Sequence, residues 1–288
     1  MTEAGNKQMC EEFAKERPDT GYIRALLNSG RADINALSMG RYEHLTVYWY
    51  IDQGVSKHKY HWNLWNLCHS FWGTVNTEEK LRAFKANFYP ILDILEDYNF
   101  NIMNGRSFRV RPDGTKGGQA FAGFRFLDYA EFTIMAKHDM PRLIQFFERL
   151  YFGQGHHVDD MSAIGTISYL SPLLWSIPES YKPELILYFI MKGARWNRPV
   201  WQQPGYEARI TNFAAQVPAG AAADMIVILQ QLLGVNYTTG RLGANLRGFL
   251  AAAYGTVVAV GILERVVGLV AAKRRRYALA ISPELIAV

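Results

Sequence analysis

The chain of 288 residues carries only two cysteines, Cys10 and Cys68. That is too few for the disulfide framework of a small secreted domain, so a reducing, cytoplasmic setting is expected. Its opening, MTEAGNKQMCEEFAKERPD, has acids at Glu3, Glu11 and Glu12 and no apolar run, so no cleaved secretory signal is expected. Long runs of alternating apolar and polar residues are scarce, which argues against a protein built mainly of strands. Residues 1–239 carry no net charge; seven bases and two acids from Gly240 onward supply the whole formal excess of +5. A nucleic-acid-binding surface usually spreads Lys and Arg along one face, so no nucleic-acid partner is expected.

What is present is helical periodicity and one recurring phrase. At 21–35 the chain reads GYIRALLNSGRADIN, an apolar helix closed by Gly30 and a polar turn. The same order of parts returns at 183–197, PELILYFIMKGARWN. Looser copies are PILDILEDYNFNIMN at 90–104, PRLIQFFERLYFGQGHHVDD at 141–160 and ADMIVILQQLLGVNYTTG at 223–240. Three copies open with proline (Pro90, Pro141 and Pro183), which at the first helical position forfeits no hydrogen bond. Gly30 and Gly193 stand where a helix ends in a residue of positive φ, a conformation that costs glycine almost nothing.

Helix, turn, helix, Gly and finger in 171–197, SPLLWSIPESYKPELILYFIMKGARWN, resembles the ankyrin repeat, with Ser171-Pro172-Leu173-Leu174 in place of its usual Thr-Pro-Leu-His opening. Segment 126–160 follows the pattern with a longer second helix, and 44–72 has room for the intervening helices. The resemblance implies an all-α solenoid of degenerate helix pairs over 1–204, with a projecting insertion at about 104–124. Residues 205–239 would form a further repeat or cap, and 240–288 an apolar helical segment with a basic tail. It also implies binding without catalysis or a cofactor: an adaptor that holds another protein on its fingers and concave face. Divergent members of this family include proteins that intracellular bacteria or large viruses direct at host cells, which would place such an effector in host cytosol.

The residues that invite chemistry have plainer readings. His156-His157-x-Asp159-Asp160 is the richest metal-ligand cluster, but neighbouring histidines on a turn rarely converge on one ion, and no metal is expected. Cys68-His69, with His61 upstream, lacks a nucleophile motif; a helical enzyme built on His61, Cys68 or His156 is the weakest expectation. In RSFRVRPDGTKGGQAFAGF (106–124) the phosphate-loop spacing is missing, and Pro112-Asp113-Gly114 reads as the tight turn of a projecting hairpin. Nine large aromatics between Tyr42 and Trp72 exceed what one helix pair buries, so some are expected at an interface. The expected partner contacts are Met39, Arg41, Arg106, Arg109, Arg111, Lys116, His156, His157, Arg195, Trp196, Arg198 and Trp201.

The last segment has two readings. Residues 248–263 hold no charge, followed by Glu264-Arg265, VVGLVAA and Lys273-Arg274-Arg275-Arg276. A spanning helix wants about 20 apolar residues, so this run of 16 is short and the acid and base interrupt it. One reading tethers an adaptor at a bilayer, with Phe249, Val257, Val260, Lys273, Arg274, Arg275 and Arg276 as contacts. The other is a terminal helix pair with a turn near Glu264, packed on the last repeat or pairing with a second copy.

Overall fold

The structure is a computed structural model that describes residues 1–36, 38–39, 59–62, 75–101, 107–110, 116–121, 130–156, 183–194, 196–197 and 206–280. The described residues are predominantly helical, and the all-α class holds at that level. They form two compact units, Met1–His157 with Met161–Thr166, and Val158–Asp160 with Ile167–Val288.

The first unit begins with α1 (Glu3–Phe13) and α2 (Thr20–Asn28). Each starts on a residue whose side chain accepts a backbone N–H three positions on: Thr2 from Gly5, and Asp19 from Tyr22. The buried Glu12 carboxylate takes the Asp19 N–H at 2.8 Å and the Lys15 ammonium at 2.6 Å, fixing the reversal between them. Helix α3 (Glu78–Asp97) follows, capped by Thr77, then α4 (Ala130–His138) and α5 (Met140–Leu150), capped by Asp139. Apolar residues at helical spacing (Ile23 and Leu26; Phe84, Phe88, Ile91 and Leu95; Leu143, Phe146, Phe147 and Leu150) are all buried.

Four short strands accompany these helices: β1 (Ser38–Met39), β2 (Lys59–Trp62), β3 (Ser107–Val110) and β4 (Lys116–Phe121). They pair antiparallel in chain order. Strands β3 and β4 are the arms of the hairpin expected around Pro112-Asp113-Gly114, whose turn lies outside the described residues. The hairpin does not stand alone, since β3 also pairs with β2, Tyr60 opposite Arg109. Within the stretch expected to hold helices, Lys59–Trp62 is therefore a strand; its alternation of Lys, Tyr, His and Trp suits one.

The second unit contains α6 (Pro183–Met191), α7 (Tyr206–Ala215), α8 (Ala219–Leu233), α9 (Gly240–Tyr254) and α10 (Thr256–Ala280). Helix α9 packs on α6, α7 and α10, and α8 packs on α6 and α10. The turn expected near Glu264 lies instead at Gly255, whose φ of 82° and ψ of 153° break the helix between α9 and α10. Glu264 sits inside α10, where its propensity is good and nothing interrupts the backbone ladder. No helix among the described residues is long and apolar enough to cross a membrane.

Two of the three prolines stand where the sequence places them: Pro183 opens α6, and Pro141 lies in the first turn of α5. Pro90 does not. It lies inside α3, which starts twelve residues earlier on the Thr77 cap, so that long helix absorbs it in place of starting at it.

Candidate partner-binding surface

All five copies of the phrase end in the same way. Gly30, Gly155, Gly193 and Gly234 have φ between 65° and 98°, and Asn99, in the one copy without a glycine there, has φ 53°. At each, the amide N–H reaches back three residues and the next N–H reaches back five: Gly30 to Leu27 and Arg31 to Leu26, Asn99 to Glu96 and Phe100 to Leu95. The pairs at Gly155 and His156, Gly193 and Ala194, and Gly234 and Val235 repeat the pattern. This is the Schellman-type closure, which satisfies the last carbonyls of a helix and turns the chain sharply away.

In the first unit these closures are tied to one another. The Asn6 carboxamide accepts the Asp33 N–H at 2.8 Å, and the Asn35 carboxamide accepts the Asn101 N–H at 2.7 Å. Gln154 donates to the Phe100 carbonyl at 2.6 Å. The endings of α2 and α3 and of the 3-10 turn Phe152–Gln154, which follows α5, are therefore joined edge to edge. Ion pairs join the helices below: Arg24 with Asp97 at 2.8 Å, Arg142 with Asp93 and Glu96, and Arg149 with Glu96 at 3.0 Å. The Glu96 carboxylate is fully enclosed by these partners.

At the head of α5, Asp139 accepts the Tyr89 hydroxyl at 2.8 Å, the Lys85 ammonium at 3.2 Å and the Arg142 N–H. Burial pulls the Asp139 carboxyl upward, but the bonds from Tyr89, Lys85 and the Arg142 N–H outweigh it and hold the group below the usual carboxylate range. Burial, reinforced by the Asp139 carboxylate, pushes the Tyr89 phenol up, so it remains a donor.

On the turn side of this unit lies an open cleft lined by Asn99, Asn101, Gly153, Gln154 and His156. Its wall is three carboxamides and one imidazole, and the His156 ring lies 5.2 Å from that of buried Tyr151. Carboxamides offer a donor and an acceptor in the spacing of a peptide group, so the surface is chemically matched to main chain and polar side chains.

Of the expected contacts, His156 belongs to this cleft. Met39 is in β1 opposite His61, Arg109 in β3 opposite Tyr60, and Lys116 begins β4 opposite Val110. Arg41, Arg106, Arg111, His157, Arg195, Arg198 and Trp201 lie outside the described residues. Trp196 is a correction. It is 8% exposed, and its ring meets that of Phe249 at 5.7 Å, because the turn after Gly193 folds back under α9 and not outward. Phe249, expected at a membrane, is fully buried in the same contact. Val257 and Val260 are exposed, at 87% and 47%.

Asn99, Asn101 and Gln154 are not among the contacts expected from the sequence. The signal for Asn99 was present, since it occupies the glycine position of its phrase and asparagine best tolerates positive φ after glycine. Among the described residues no group of three His, Cys, Asp or Glu side chains is placed to hold a metal. No protein-family model matches the chain, and neither a curated protein nor a solved structure is significantly similar to it.

Proposed function

We propose that the chain is a protein-binding scaffold of divergent ankyrin-like helix pairs, an adaptor that holds a partner on the turn side of its repeats. The observation that carries this reading is the fivefold recurrence of one helix ending, with three of the endings cross-linked by Asn35 and Gln154. Identical endings set side by side present turns and loops on one edge, as repeat proteins do when they bind. The carboxamide cleft around His156 and the hairpin of β3 and β4, with Arg109 and Lys116, are the contact elements on that reading. Shape and main-chain chemistry at such a surface suit recognition of a protein more than turnover of a small substrate.

The test is affinity capture from cytosol by the full chain, followed by the same capture with His156→Ala, with Gln154→Ala, and with Arg109→Glu combined with Lys116→Glu. Loss of one reproducible partner in at least two of these, with thermal melting unchanged for His156→Ala and for the Arg109 and Lys116 double substitution, is the expected result. Capture that is the same in all three sinks the reading.

A further inference from the structure

Helix α10 is apolar on two sides, and only one is used. Ala259, Ile262 and Val266 are buried against the unit. The opposite side carries Val257 at 87% exposure, Val260 at 47% and Val267 at 56%, with Gly261 and Gly268 open to solvent beside them. The exposed surface continues onto α8. The Asp224–Arg265 pair at 3.2 Å and the Gln231–Lys273 bond at 2.6 Å join the two helices, and Ile228, 62% exposed, lies one turn from Asp224. A helix at the edge of a packed unit ordinarily turns a polar face outward, and this one does not.

The charge around the face indicates what it meets. All of the chain's formal excess of +5 lies from Gly240 onward, and four consecutive bases, Lys273 to Arg276, fall within α10 itself. A solvent-exposed apolar strip on a helix that also carries a dense basic run is the combination that lies flat on anionic lipid. The length of apolar chain that a spanning helix would need is not required for this attachment.

We propose that the outer face of α10 binds the surface of an anionic bilayer in plane, with Val257, Val260 and Val267 entering the headgroup boundary and the 273–276 run attracted to lipid phosphates. Glu264 marks the limit of the fit. It is exposed on that same face, has no partner among the described residues, and opposes a negative surface. A second copy of the chain is disfavoured as the occupant. An antiparallel two-fold pairing centred on the exposed valines, Val257 to Val267, would bring the two Glu264 carboxylates near one another.

The experiment is co-sedimentation of the full chain with vesicles of phosphatidylcholine mixed with phosphatidylserine, and with phosphatidylcholine alone. The expected result is a preference of at least about tenfold for the anionic vesicles, falling with added salt. Val257→Asp with Val260→Asp, and separately glutamine at all four of residues 273–276, should each abolish that preference while the melting temperature stays unchanged. Glu264→Gln should strengthen binding. Binding that survives the valine substitutions, or no vesicle binding at all, overturns the proposal, as does weaker binding by Glu264→Gln. Concentration-dependent self-association that the valine substitutions remove overturns it in favour of a second copy. Capture of a soluble protein by the turn side is measured without lipid, so failure of either reading leaves the other standing.

Discussion

Asp139 gathers a backbone N–H, a phenol and an ammonium on one carboxylate, and so joins the start of α5 to the middle of α3. Because its folded pKa is depressed, its stabilisation is fully present above the unfolded value of about 3.9 and is lost as pH falls through the lower folded value. Asp139→Asn should therefore lower stability above about pH 4 and flatten the acid limb of a stability–pH profile, measured by urea unfolding at successive pH values, while the most acidic points stay unchanged. Arg142→Ala is expected to cost more, about 3 kcal/mol, because it takes one of two cations from an enclosed Glu96 carboxylate. At Asn99 the backbone decides the outcome. With φ 53°, alanine should lose about 1 kcal/mol in the same assay, whereas glycine should be neutral.

Proline inside an α-helix removes one hydrogen bond and strains the preceding turn, and α3 carries Pro90 near its middle. Pro90→Ala is expected to raise stability by about 1–2 kcal/mol in chemical unfolding, part of the helical gain being offset by a freer unfolded chain. The same residue shows where the sequence is legible and where it is not. Helix endings could be read, because a glycine at positive φ after an apolar run has few other uses, and Gly30, Gly155, Gly193 and Gly234 all behave so. Helix beginnings were less legible, because proline is compatible both with a first turn and, at a cost, with an interior. The hairpin of β3 and β4 followed from Pro112-Asp113-Gly114 and its flanking residues. Its third partner, β2, is more than forty residues away in sequence and left no local mark. Trp196 misled for a related reason. It stands among the expected partner contacts with Arg195 and Arg198, but the aromatic that covers it, Phe249, is supplied by α9. Which face an aromatic takes depends on a distant partner, and a single sequence does not show that partner.

At the scale of the whole second unit, α9 and α10 are not an appendage. Phe249, Leu246 and Leu250 are fully buried, and the Tyr254 hydroxyl donates to the Ala214 carbonyl at 2.6 Å. A chain ending at residue 239 should therefore lose the cooperative unfolding of this unit and expose Trp196, seen as a red-shifted tryptophan emission and a lower melting temperature. Trp196→Ala in the full chain should cost about 3–5 kcal/mol by opening a cavity against Phe249.

One amide in this unit sets an order of events. Asn245, on α9, donates to the carbonyls of Ile190 at 2.8 Å and Ala194 at 3.2 Å, on either side of the turn that closes α6. During synthesis α6 leaves the ribosome more than fifty residues before the side chain that secures its end, and Trp196 waits as long for Phe249. Until α9 has emerged, this unit has an unfinished helix and an uncovered indole, which are the features that chaperones bind and that promote misassembly. The chain thus commits to its second unit only once α9 has emerged, and slow translation through 197–245 would lengthen the period in which it is most vulnerable.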